Sequence, residues 1–184
     1  MNKTITERGH VFPIPCVGKD KRAAIFYVHS QGEVAEEGAG VVEFHVRTIA
    51  AAPILDQDDG HFFILRLEPE SNGIWKIKHI DNQGFREFDA AGLPEALLPT
   101  IADEYGIEIW SQAAGRQSTR ADTGPTLRGQ HFKIEAGGQV ERNKHATKMW
   151  KRLKDHLDKF QVVHDTSEDV YRLVRRGKKP IADE

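Results

Sequence analysis

Only one cysteine, Cys16, occurs in this chain of 184 residues, so no internal disulfide can form. A lone thiol agrees with a reducing cytoplasm, which is the compartment the sequence leads us to expect. Cys16 follows Pro15 in a short apolar run, the setting of a buried, inert thiol. Long apolar runs are missing as well. None approaches the ~20 residues of a membrane-spanning helix, so no membrane partner is expected. The first ten residues, Met1 to His10, lack the apolar core of a secretory signal. An excess of one charge sign is also absent: 26 Lys and Arg face 28 Asp and Glu, leaving a net charge of −2. That balance gives no electrostatic reason for tight binding to nucleic acid. No nucleophile elbow, phosphate-binding loop, dinucleotide fingerprint or HExxH zinc sequence occurs.

What is present fits an ordinary globular chain, with 39% apolar and 29% charged residues. At this length one domain is expected, able to bury roughly 70% of its unfolded surface. Residues 1–40 read as an N-terminal arm with strands, 41–174 as the core, 113–142 as an insertion and 175–184 as a basic tail. Val11 to Val17 carries two prolines, which suits an edge strand or an extended arm. Arg22 to Ser30 is rich in strand formers, Gln31 to Gly40 reads as a turn or solvated loop, and Val41 to Ile49 alternates as a half-buried strand. Asp56-Gln-Asp-Asp-Gly60 fails the calcium-loop spacing and is read as an acidic turn. His61 to Glu68 and Ile74 to Asp81 flank Ser71-Asn-Gly, the strongest hairpin signal, and are expected to pair centrally. Simple alternation puts Trp75, Ile77, His79 and Asp81 on one face of that second strand.

The stretch from Gly92 to Gln112 organises the rest. Leu93, Leu97, Leu98, Ile101 and Tyr105 make one face of a helix, Gly106 ends it, and Ile107 to Ser111 alternates like a half-buried strand. A long polar connection follows, with a small hairpin around Gly137-Gly138. Asn143 to Leu157 forms the second helix, striped by Ala146, Met149, Trp150, Leu153 and Leu157. Phe160 to His164 and Val170 to Arg175 close the chain as a hairpin. The expected class is α+β, a mixed and mostly antiparallel central sheet flanked by helices.

From about residue 41 the order is strand, strand, strand, helix, strand, helix, strand, strand. Over roughly residues 41–174 this resembles the GNAT family of N-acetyltransferases. Locally, Asn143-Lys-His-Ala-Thr-Lys-Met-Trp-Lys-Arg-Leu is similar to the family's Asn, two residues, Ala, three residues, Tyr at the last helix. The resemblance implies that acetyl-CoA, or another acyl-CoA, is the cofactor and that a small-molecule or protein amine is the acceptor. It also implies a backbone turn that aims N–H groups at the pyrophosphate. The stretch corresponding to that turn is Asp89-Ala-Ala-Gly92-Leu93-Pro94. Gly92 is kept, Asp89 places an anion where the family has Gln or Arg, and Pro94 removes one N–H. Arg86, Gly92, Leu93 and Asn143 are the residues implied to meet the cofactor. At position 150 the family's proton-donating Tyr is replaced by Trp, whose indole does not ionise usefully.

His79, at the end of the strand that leads to this turn, is the candidate general base, because a histidine titrates near neutrality. Asp81 is a second candidate, and Ser111 a hydroxyl that could polarise a thioester carbonyl. His29 and His45 sit on neighbouring predicted strands, yet without a cysteine partner they suggest no metal site. Two further readings stand beside acyl transfer. One is an inactive binding or regulatory protein on the same scaffold. The other is a nucleic-acid binder using the arginine-bearing insertion 113–142, whose charge Asp122, Glu135 and Glu141 dilute, together with the basic tail.

Overall fold

The fold is that of a computed structural model. It describes residues 4–18, 21–50, 62–71, 73–81, 92–113, 132–134, 140–142, 144–154 and 157–177. In chain order the elements are β1 (Val11–Val17), β2 (Ala23–Glu33), β3 (Val42–Arg47), β4 (Phe63–Ser71), β5 (Ile74–Asp81), α1 (Leu93–Tyr105), β6 (Glu108–Trp110), β7 (Phe132–Ile134), β8 (Val140–Arg142), α2 (Lys144–Leu153), β9 (Phe160–Asp165) and β10 (Val170–Arg175). Eight strands form one sheet in the order β1-β2-β3-β4-β5-β6-β10-β9, and β7 pairs with β8 by itself. Every pairing is antiparallel except that of β5 with β6. The class is therefore α+β and sheet-rich.

The two prolines of β1 are accommodated because that strand is an edge, paired only with β2. β4 and β5, the two strands at the middle of the sheet, pair up to Ser71 and Ile74, with Gly73 at φ 76°. β2 extends to Glu33 and a short 3-10 turn spans Ala35–Glu37, so structure reaches into the stretch expected to be loop. Strand β6 is not half-buried as alternation suggests. Glu108, Ile109 and Trp110 are all buried, because β6 lies between β5 and β10 with side chains covered on both faces.

Both helices lie on the same face of the sheet. Leu93, Leu97, Leu98 and Ile101 of α1 and Met149, Trp150 and Leu153 of α2 share one core with Ile14, Phe26, Phe44, Leu65, Ile77 and Leu173. Pro99 inside α1 leaves one backbone acceptor without its usual donor, and the helix continues through it. Ion pairs frame this layer: Glu95 with Arg152 at 2.7 Å, and Asp103 with Lys159 at 2.7 Å and with Arg175. Being largely exposed, each contributes little. The opposite face is different in kind. It carries His29, Glu43, His45, Arg47, Arg66, His79 and Asp81, and the 3-10 turn reaches it through Glu37.

Candidate functional site

The single parallel ladder among the described residues is short. Ile74, Trp75 and Lys76 of β5 pair with Glu108, Ile109 and Trp110 of β6, and there the pairing stops. β5 continues to Asp81 while the chain after Trp110 turns to follow β10: Ser111 N–H donates to the Tyr171 carbonyl at 2.8 Å. The described backbone pairing between the two strands thus ends at Lys76, and the junction of residues 77–81 with the Ser111-Gln112 segment is termed the wedge. The side-chain amide of Gln112 spans it, donating to the Lys78 carbonyl at 3.2 Å. Behind the wedge, Ile74, Trp110 and Val170 form a small apolar cluster, and the Arg172 guanidinium lies 4.0 Å over the Trp110 ring.

A bulge shapes the wall on the β5 side. Arg66 pairs with His79 while its neighbour Leu67 pairs with Ile77, so Lys78 is an extra residue in β5. The insertion flips the side chains beyond it. Ile77 and Ile80 face the core with Leu67 and Leu65, whereas His79 and Asp81 face the other way with Arg66 and Ile64. The expectation that Trp75, Ile77, His79 and Asp81 share a face is therefore corrected. His79 and Asp81 remain together, but on the polar face rather than beside the core.

There they join a charged cluster that crosses three strands. Glu43 accepts from His45 Nε2 at 2.5 Å and from Arg66 Nε at 2.5 Å. Arg66 also reaches Glu37 at 2.9 Å, and Lys78 donates to the Glu37 backbone carbonyl. Burial alone would raise the Glu43 carboxyl, but His45 and Arg66 outweigh it and hold the group below its ordinary value. His79 is held below the usual histidine range, chiefly by burial and secondarily by Arg66, against the opposing pull of Asp81, Glu37 and Glu43. At neutral pH it is an uncharged imidazole with a carboxylate two residues away, a group able to accept a proton.

The other predicted residues fare differently. The Ser111 hydroxyl donates to the Gln112 carbonyl at 2.8 Å and accepts from the Tyr171 N–H at 2.9 Å. It fastens β6 to β10 at the edge of the wedge. Gly92 caps α1 at φ 67°, and a Cβ there would lie 2.8 Å from the Val17 carbonyl oxygen. The end of β1 thus backs the turn, and this alone accounts for glycine. Gly92→Ala is expected to cost about 3 kcal/mol, combining left-handed strain with a backbone clash, measured by urea unfolding. A cost near zero would mean that β1 does not press on this turn. Leu93 is fully buried in the core, so only its backbone is available at the helix start. Trp150 is likewise core, 1% exposed and stacked on Tyr171 at 5.9 Å. Arg86, Asp89 and Asn143 lie outside the described residues. Among the described residues no three metal-binding side chains converge.

Sequence reading missed Glu43, Arg47, Arg66 and Gln112, and weighed His45 only as a metal ligand. Glu43 and His45 are two apart on one strand, a spacing that does put them on a common face. Their partners come from other strands and gave no local signal. Comparison with protein families, with curated proteins and with solved structures finds no match.

Proposed function

We propose that this protein transfers an acyl group from an acyl-CoA to an amine, on a GNAT-like scaffold. One observation carries the reading: the only parallel ladder among the described residues ends after three pairs, at the wedge beside His79 and Asp81. The succession β5-α1-β6, followed by α2 and the β9-β10 hairpin, supports the same scaffold. The five residues of β5 beyond the ladder offer a strand edge that fits an extended, amide-bearing arm, as edge pairing by a peptide does. Acyl-CoA, when bound, supplies the activated acyl group. In this chain His79 takes the proton that the attacking amine must lose, and Asp81 stabilises the imidazolium so formed. Gln112 has to release the Lys78 carbonyl before the wedge can accept an arm.

A second reading, a non-catalytic binding protein on this scaffold, is favoured by specific observations. The Val17 carbonyl, an electronegative atom, backs the turn where a pyrophosphate would sit. Pro94 withdraws a donor in the first turn of α1, and Trp150 is packed as core. Titration with acetyl-CoA followed by melting temperature discriminates. Under the first reading the wild type is stabilised by RT ln(1 + [L]/Kd), and Gln112→Ala binds more tightly because its amide no longer competes. Absence of any shift at millimolar acetyl-CoA, in both proteins, leaves the binding-protein reading standing. The nucleic-acid reading gains nothing from the described residues, whose basic groups on the sheet face are largely paired with carboxylates.

A further inference from the structure

Arg47 stands apart from every other charged group on the polar face. It ends β3, is 6% exposed, and its Nε is buried without a hydrogen-bond partner. Among the described residues no carboxylate lies within ion-pair distance of it, although Arg66, Lys78, Arg152, Lys159, Arg172 and Arg175 all have one. A buried guanidinium without an anion is costly, by several times the value of an exposed pair. The side chain is held in place nonetheless, with Cζ 5.1 Å from the centre of the Phe62 ring. The same ring stacks on His45 at 3.9 Å, and His45 is pinned by Glu43. His29, directly opposite His45 across the β2-β3 pair, is buried and donates through Nε2 to the Ile49 carbonyl at 3.1 Å. Phe62 contact occupies the face of the guanidinium and leaves its in-plane N–H groups as the recognition edge.

Counting charge around this corner selects the ligand. Glu43 and Glu37 are matched by Arg66 and Lys78, and His29 is kept uncharged by burial and by Arg47 itself. Asp81 is two strands away beside His79, roughly 10 Å at the usual strand spacing. Among the described residues one unmatched positive charge therefore remains. A phosphate dianion would overfill it and meet Glu43, whereas a monocarboxylate balances it and matches the planar fork in shape.

We propose that the corner formed by Arg47, His29, His45 and Phe62 is a binding site for a small monocarboxylate, held bidentately by the Arg47 guanidinium. The site does not depend on acyl transfer. If both hold, the carboxylate is carried by a molecule that lies on the same sheet face as His79.

Sodium acetate, at ionic strength matched with sodium chloride, is the probe. The melting temperature of the wild type should rise progressively with acetate and not with chloride, and Arg47→Met should abolish the rise. Phosphate stabilising as much as acetate, or an undiminished response in Arg47→Met, would overturn the assignment. Should Arg47→Met fail to fold, the arginine Nε–H resonances of the wild type give the answer. One of them should move saturably with acetate and stay put with chloride, and the lack of any such resonance defeats the proposal. Acetyl-CoA binding is measured separately, so a failure here is not a failure of the wedge.

Discussion

Truncating Trp150 to alanine should destabilise the protein by about 3–5 kcal/mol, the range for removing a fully buried large aromatic side chain. The ring is the largest fully buried side chain and lies nearly parallel to Tyr171, tilted by 8°. It therefore joins α2 to β10, and its removal leaves a void between a helix and the end of the sheet. The loss has both a transfer and a cavity component, because the surrounding layer can collapse only partly. In thermal unfolding the expected fall is on the order of 10 °C for a chain of this size. Trp150→Phe, which retains an apolar ring, should lose well under half as much. A loss below 1 kcal/mol for the alanine variant would show that α2 is not seated on β10 as described. The result also bears on function. A residue that holds the core this strongly needs no chemical role to explain its presence, which is why its identity weighs towards the binding-protein reading.

Local signals carried most of the architecture. The Ser71-Asn-Gly turn, the apolar stripe of α1 and the paired prolines of β1 each reflect forces acting within a few residues, and each element formed where its signal placed it. Errors arose where the decisive contact was distant in sequence. No glycine or proline marks the bulge at Lys78; it follows from how β5 meets β4, and it alone decides which way His79 and Asp81 face. The apolar-polar alternation of β6 suggested an exposed side, yet Glu108 is buried in a strand set between β5 and β10, the latter more than sixty residues later. The Glu43-Arg66 pair is separated by 23 residues, and Gln112 meets Lys78 across 34. Such polar pairs have no periodicity to betray them. Sequence could offer His79 and Asp81 as a candidate pair, but not the cluster in which they sit.

That cluster gives the second large effect. Arg66→Met is expected to cost about 3–5 kcal/mol at pH 7, because it strips a buried carboxylate of its best partner. Glu43 is only 8% exposed, and after the change His45 alone would face it. The signature lies in the pH dependence. In the wild type the Glu43 carboxyl is held below its ordinary value, so its contribution is present above that value and is lost as pH falls through the folded one. His29 and His79, both held below the ordinary ~6.5 mainly by burial, act in the same direction. Their unfolded forms take up protons first, so stability declines as pH drops below about 6.5 towards their folded values. The wild type should therefore be acid-labile. In Arg66→Met the desolvation of Glu43 goes unanswered, its carboxyl protonates at higher pH, and the penalty is relieved by mild acid. Unfolding curves at pH 7 and near pH 4.5 should show the gap between the two proteins narrowing. If it stays constant, Arg66 acts through packing of its stem rather than through the ion pair, and the polar face is not an electrostatic unit. A narrowing gap would make His79 sensitive to the same change, since Arg66 is one of the charges that keep its imidazole neutral. Any activity assigned to His79 should then shift its acid limb upward in pH in the variant.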